Sequence, residues 1–229
     1  MSSRSWDQAD GFRVKHQLKG APRPRDTFVD DWEMDVEELV GRFEQELSAV
    51  GGVVHFAAES DIQLVLKQWS GSIVVVAPED DFSPHIDRTF AAESGSVVPW
   101  DGSVRSLAEK AVVGVTGALW GVAETGSVLI SSAWPGGRTP SLLPPVHLVF
   151  LRVDRLLPTT AALFRKIGEM ETLPSNLVIV TGPSKSSDIG MELSTGVHGP
   201  AELHVVLVHD GSLPLASPIT SLETSSEEP

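Results

Sequence analysis

Val112-Val113-Gly114-Val115-Thr116-Gly117-Ala118-Leu119-Trp120-Gly121-Val122-Ala123-Glu124-Thr125-Gly126-Ser127-Val128-Leu129-Ile130-Ser131 is the stretch whose reading decides the fold. A Pro/Gly-rich loop follows it, then Pro144-Pro145-Val146-His147-Leu148-Val149. Three β-type runs, Val112–Val115, Val128–Ser131 and Val146–Val153, are too apolar to be surface segments. Only about ten residues separate the first two, short for the helical crossover between parallel strands. An antiparallel or irregular connection through Gly121–Gly126 is expected, which makes the sheet mixed. Within this apolar stretch one carboxylate, Glu124, lies among Thr and Gly, and one imidazole, His147, opens a strand.

Upstream the pattern is that of βαβ units. Val36, Leu39, Val40, Phe43, Leu47 and Val50 form one apolar helical stripe, with acidic residues in the first turns and Gly51-Gly52 at the end. Val53–Ala57 reads as a strand, and Asp61–Trp69 as a helix capped by Ser60 or Asp61. Ser72–Ala77 is a strand buried on both faces, closed by Pro78. A helix around Pro84–Glu93, a strand at Ser96–Pro99 and a short helix at Ser103–Lys110 complete this half. Downstream, Pro158 suits the first helical position, and Thr160–Met170 has a helical composition with Leu163, Phe164 and Ile167 on one face. Asn176–Thr181 reads as a further buried strand, 182–188 as a loop, and Glu202–Val208 as the last strand. Alternating strands and helices of this length predict an α/β fold with a mixed, mainly parallel sheet flanked by helices.

Residues 1–30 are polar and aperiodic, a flexible arm suited to clasp a neighbour, so a homodimer is one expectation. Residues 31–209 form a single α/β domain, and 210–229, acidic with no Lys or Arg, form a disordered tail. A net charge of −14 excludes a nucleic-acid surface, which needs clustered cations. The chain has no Cys, so disulfides, thiolate catalysis and Cys-ligated zinc or iron–sulfur clusters are excluded. No apolar run is long enough for a membrane helix and no secretory leader is recognisable, which makes the cytoplasm the default location.

Four places carry candidate chemistry. Glu124, with Thr125, Gly126 and Thr116 nearby, is either a general base or nucleophile with a perturbed carboxyl, or a structural carboxylate bonded to backbone N–H groups. His147 is either a satisfied core imidazole or a ligand-facing group at a strand end. Thr181-Gly182-Pro183-Ser184-Lys185-Ser186-Ser187-Asp188 combines hydroxyls, a Gly and the last cation of the chain, the ingredients of an anion cradle, although it is not a Walker A motif. His198, between Gly196-Val197 and Gly199-Pro200, has no packing reason to be there, and Asp188 is placed to orient it. No His pair has a metal-ligand spacing, no Gly-x-Gly-x-x-Gly follows a strand, and no serine elbow occurs, so neither a metal nor a cofactor is expected.

Taken together, Gly-Val-Ala-Glu-Thr-Gly-Ser-Val (121–128), Ser-Leu-Leu-Pro-Pro-Val-His-Leu-Val (141–149), Leu-Pro-Ser-Asn-Leu-Val-Ile-Val-Thr-Gly-Pro-Ser-Lys-Ser-Ser-Asp-Ile (173–189) and Gly-Val-His-Gly-Pro-Ala-Glu-Leu-His-Val-Val (196–206) resemble the LUD domain of the LutC/YkgG family, lactate utilization protein C. The resemblance implies a NagB/RpiA/CoA-transferase-like fold. It also implies a bacterial cytoplasmic protein that works with iron–sulfur partner subunits in oxidising L-lactate to pyruvate. It carries Glu124, Thr125, Gly126, His147, Ser184, Asp188, His198 and Gly199 over as the pocket. This chain has Leu119-Trp120 before the Ala-Glu-Thr-Gly box, where the family has small or acidic residues. Three functions follow as alternatives. One is a non-redox subunit of a lactate-oxidising complex that binds a small organic anion such as lactate or pyruvate. There Lys185 would hold the carboxylate and His198 or His147 would handle the hydroxyl proton. A second is an isomerase or acyl-transferase that uses Glu124. The third is a non-catalytic anion-binding or assembly protein.

Overall fold

A wholly parallel sheet and a smaller mixed sheet make up most of the fold. The computed structural model describes residues 34–69, 73–76, 96–99, 109–131, 139–187, 193–195 and 199–211. Its strands, in chain order, are β1 (Val53–Ala58), β2 (Ile73–Val76), β3 (Ser96–Pro99), β4 (Val113–Gly117), β5 (Trp120–Val122), β6 (Ser127–Ser131), β7 (Val146–Arg152), β8 (Leu156–Leu157), β9 (Leu177–Val180), β10 (Lys185–Ser187), β11 (Leu193–Thr195) and β12 (Glu202–His209). The six-stranded sheet has the order β1-β12-β7-β4-β2-β3, and every neighbouring pair in it is parallel. The four-stranded sheet has the order β8-β5-β6-β9, with β5 and β9 antiparallel to β6. The chain leaves the large sheet at Gly117 and makes the β5–β6 hairpin at once, so the short connection seen in the sequence is a change of sheet. The expected loop at 182–188 instead contributes β10, which pairs antiparallel with β11.

The central strands β7 and β12 are buried on both faces, as their unbroken apolar runs require. Alternation sorts their side chains. Leu148, Phe150, Val206 and Val208 join one core layer with Val113, Val115 and the helix α2 residues Ile62, Val65 and Leu66, where α2 is Ile62–Leu66. Val149, Leu151, Leu203, Val205 and Leu207 join the opposite layer with Val128, Ile130 and Val40, Phe43 and Leu47 of another helix. That helix is Val36–Ala49. In chain order the helices are α1 (Val36–Ala49), α2 (Ile62–Leu66), α3 (Thr139–Leu142) and α4 (Thr160–Gly168). The outer face of the small sheet is covered by α4 through Leu163, packed with Val122 and Leu129.

Helix α1 forms where the stripe predicts it. Asp35 and Glu38 make a reciprocal capping box, Asp35 Oδ1 accepting from Glu38 N at 2.9 Å and Glu38 Oε2 accepting from Asp35 N at 3.3 Å. At its far end Gly51 adopts φ 91° and Gly52 N donates to Leu47 O at 3.0 Å.

Other expectations change in detail. Asp61 makes no capping bond, because the 59–69 segment begins and ends in 3-10 turns, Glu59–Asp61 and Lys67–Trp69. Pro158 precedes the true cap, Thr159, whose hydroxyl accepts from Ala162 N at 3.2 Å. Phe164 is 59% exposed because Leu163 and Ile167, four apart, take the inward face. Ile179 is 42% exposed because β9 is an outer strand of the small sheet. The helix around 84–93, most of the helix at 103–110, the N-terminal arm and the acidic tail lie outside the described residues.

Gly114 marks a tight crossing. A Cβ there would lie 1.7 Å from Pro140 O, so α3 rests directly on β4. Gly114→Ala is expected to destabilise the protein by about 1–3 kcal/mol through overpacking. The loss should appear as a lower urea midpoint with unchanged slope.

Candidate functional site

The last turn of α1 meets three of the residues singled out in the sequence, Gly126, Gly182 and Lys185. Gly126 ends the β5–β6 hairpin turn with φ 63°, and a Cβ on it would lie 2.3 Å from Leu47 N. Only glycine lets the hairpin touch the helix backbone. Gly182, with φ 119°, approaches Val50 in the same way, its notional Cβ 2.9 Å from Val50 Cγ2. Lys185 Nζ donates to Val50 O at 2.6 Å. α1 has no basic residue in its own last turn, so this distant ammonium complements the negative end of the helix dipole. Ser184 N donates to Pro200 O at 2.8 Å, and a Cβ on Gly199 would touch Ser184 Cβ at 3.4 Å.

A chain of hydroxyls joins the hairpin turn and the start of β6 to the end of β9. Thr125 Oγ1 lies 2.7 Å from Ser127 Oγ, which lies 2.7 Å from Thr181 Oγ1. Two bonds use two of the three hydroxyl protons, so one hydroxyl of the chain keeps an unused O–H. If each hydroxyl donates in the direction of Thr181, that free proton belongs to the exposed Thr181. Lys185 likewise keeps two N–H groups beyond the one on Val50 O. Hydroxyl donors and an ammonium on neighbouring loops can hold a carboxylate.

Glu124 faces elsewhere. Its Oε2 accepts from Thr160 N at 2.8 Å and Thr160 Oγ1 at 3.0 Å, while Glu124 N donates to Pro158 O at 3.1 Å. The carboxylate thus ties the hairpin turn to the first turn of α4, a favourable place for negative charge. Of the two readings of Glu124, the structural one has these partners.

His147 and Thr116 pair inside the large sheet. His147 Nε2 lies 2.9 Å from Thr116 Oγ1, and both side chains are buried. Gly114 is the register partner of His147, so the ring lies on the same face as Thr116, two residues on. Burial pushes the imidazole down to about 3, keeping it neutral. His147 sits at the amino end of β7, whereas ligands of open α/β sheets bind beyond carboxyl ends. His147 and Thr116 are bonded to each other rather than to the residues that meet the end of α1. Asp188 and His198 lie outside the described residues.

A third polar group was not legible in the sequence. His55 Nε2 lies 3.0 Å from His204 Nδ1, and His204 Nε2 lies 3.1 Å from Glu202 Oε2. Both rings are buried, and Trp69 meets His204 edge-on with centroids 5.6 Å apart. Burial, then the neighbouring His204, push the His55 imidazole down to about 4. The only signal was Glu-x-His on a strand, which puts both side chains on one face. The partner, 149 residues away, left none.

A cleft of about 200 Å³ opens at the carboxyl ends of β7 and β12 between Val36, Arg152, Asp154 and His209. None of the sequence candidates lines it. Its guanidinium, Arg152, is held by Asp154 through Nε at 3.2 Å and Nη2 at 3.4 Å. Among the described residues, no group of three or more His, Asp or Glu side chains could hold a metal ion.

Comparison with known proteins bears on this arrangement. The LUD domain family profile matches residues 40–208, well over half of the chain. The chain belongs to the LUD domain family. The uncharacterized protein YkgG of Escherichia coli is 35% identical over 162 residues, 67% of this chain and 70% of that protein. Lactate utilization protein C of Bacillus licheniformis is 31% identical over 156 residues, 62% of this chain and 65% of that protein. Lactate utilization protein C of Bacillus subtilis is 30% identical over 158 residues, 63% of this chain and 66% of that protein. The match to the latter two thus spans slightly less than two thirds of their own length. The crystal structure of a DUF162 family protein from Deinococcus radiodurans superposes with a TM-score of 0.56 at 18% identity. The superposition covers 77% of this chain and 99% of that one, a likeness of fold.

In this LUD domain, Leu119 and Trp120 pack on the Val122, Leu129 and Leu163 cluster beneath α4. They therefore lie on the opposite face of the small sheet from α1. No helix among the described residues is long and apolar enough to cross a membrane.

The buried neutral imidazoles fix a sign for acid stability. In the unfolded chain His147 titrates near its ordinary value of 6.5, but in the fold only at about 3. Between those values the unfolded chain binds the extra proton, so stability is unaffected above 6.5 and falls as pH drops below it. The expected slope is about 1.4 kcal/mol per pH unit for each such group. Urea denaturation from pH 7 to pH 4 should yield a shallower pH dependence for His147→Asn than for the parent.

Proposed function

We propose that this chain is a cytoplasmic component of an L-lactate utilization system, the oxidation of L-lactate to pyruvate. In this reading it binds a small carboxylate, lactate or pyruvate, at the last turn of α1 and has no redox centre of its own. The observation that supports the reading is the Lys185 ammonium on Val50 O, four residues along the chain from Thr181, the end of the Thr125–Ser127–Thr181 hydroxyl chain. The names of the Bacillus relatives support the metabolic assignment. A chain without Cys cannot ligate a cluster through thiolates, which supports iron–sulfur partner subunits as the electron carriers. Ser184 and Gly199 support the loop that carries Lys185, and Gly126 and Gly182 bring both loops against the helix.

The isomerase or acyl-transferase reading needs Glu124 to be available to a substrate. Its bonds to Thr160 favour a fastening role instead. A non-catalytic anion-binding subunit uses the same Lys185 site and is separated from a catalytic one by turnover.

Calorimetric titration of the full chain with L-lactate and with pyruvate should show saturable binding. Lys185→Ala should weaken it about tenfold or more, and Ser127→Ala by roughly fivefold, the usual worth of charged and neutral hydrogen bonds. Binding unchanged in both variants sinks the site. Lactate oxidation by the purified partner subunits at full rate without this chain sinks the metabolic role.

A further inference from the structure

On the face of the large sheet opposite α1, β1 and β12 carry a hydrogen-bonded line of three titratable groups. Val53 is the register partner of His204 and His55 that of Val206, so the two imidazoles are diagonal neighbours on one face. Glu202, two residues before His204, opens β12 on that same face with its side chain largely exposed.

The protons can be counted. An ionised carboxylate only accepts, so the proton in the 3.1 Å contact belongs to His204 Nε2. A single proton fits between His204 Nδ1 and His55 Nε2 at 3.0 Å. With both rings neutral His204 has no second proton, so His55 Nε2 donates and His55 Nδ1 is left as a bare lone pair. Among the described residues His55 Nδ1 has no hydrogen-bond partner. β1 is the outer strand of the sheet, which puts this nitrogen at the sheet's margin.

We propose that Glu202, His204 and His55 form a proton relay whose port is His55 Nδ1 and which takes a proton from a hydroxylic donor, an alcohol or water. A proton bound at Nδ1 lets the Nε2 proton pass to His204 Nδ1. The donor is left as alkoxide or hydroxide, His55 remains neutral as its other tautomer, and the positive charge resides on His204 beside the Glu202 carboxylate. The resistance of His55 itself to becoming charged, from burial and from a charged His204, agrees with that division. The ring planes of the two imidazoles lie within 15° of each other, and Trp69 fixes His204 from its edge. The remaining titratable groups of the segment packed on this face, Glu59, Asp61 and Lys67, are exposed, while Ile62, Val65 and Leu66 fill the layer. On β7 the facing residues are Leu148 and Phe150, and His147 lies on the other side of the sheet. The relay is independent of the carboxylate site at α1.

Histidine nitrogen NMR of the full-length protein, from pH 9 to pH 5, tests it without a variant. One coupled step is expected, in which His204 gains its second N–H and His55 changes from the Nε2–H to the Nδ1–H tautomer at the same midpoint. Glu202→Gln, at an exposed position, should require about tenfold more protons for that step, the loss of one charged neighbour. A His55 that keeps its tautomer while His204 titrates overturns the relay. So does a His55 that becomes an imidazolium before His204, or a midpoint unmoved in Glu202→Gln.

Discussion

The backbone of Leu47 occupies the space that any side chain at position 126 would need. This contact sets where the β5–β6 hairpin stands against α1, and much of the polar architecture follows. Once the helix end is seated, Val50 meets Gly182 and offers its carbonyl to Lys185. A helix terminus leaves carbonyls without intrahelical partners, and here a cation 135 residues away satisfies one of them. Each contribution is small, about 0.3–1 kcal/mol for a charge at a helix end. Their value lies in position, since they hold the 181–185 segment beside the 125–127 hydroxyls.

β12 presents a different environment on each face. Its odd residues Leu203, Val205 and Leu207 face α1 and the small sheet, while His204, Val206 and Val208 face α2. A period of two thus puts the imidazole line on one face and a purely apolar layer on the other. The buried rings have hydrogen bonds that a lone imidazole in such a layer would lack. The cleft at the carboxyl ends of β7 and β12 is a separate surface, about five residues along β7 from His147.

What the sequence made legible was what depends on neighbours in the chain. The α1 stripe with its Asp35 and Glu38 caps and its double-glycine stop, and the strand at Ser96–Pro99, are local patterns. What it concealed depends on distant partners. Apolar periodicity cannot say which sheet a strand joins, so Val128–Ser131 and Val146–Val153 read as members of one sheet. Leu177–Val180 looked like a buried strand because an edge strand with an exposed Ile179 has the same composition. Thr125, Thr181 and Lys185 are recognisable in the sequence as polar groups, and Gly126 as special backbone. That Lys185 seeks a backbone carbonyl left no trace, because every residue supplies one. Glu124 was open between two roles, and its partner at Thr160 belongs to a helix whose position only the fold decides.

The order of strands carries a consequence for biosynthesis. β12, the last of the described strands, lies between β1 and β7. The residues joined across that seam, His55 and His204, are 149 positions apart. At ribosomal speed such a separation corresponds to a wait on the order of 10 s. During that interval β1 lacks its partner strand and the long, buried β7 presents an open edge. Parallel pairing over such distances also closes slowly once the chain is free. The nascent protein therefore passes through a period in which its most aggregation-prone edge is waiting for the segment that will cover it. Exposure of that edge during synthesis is built into the topology, whatever the stability of the finished fold.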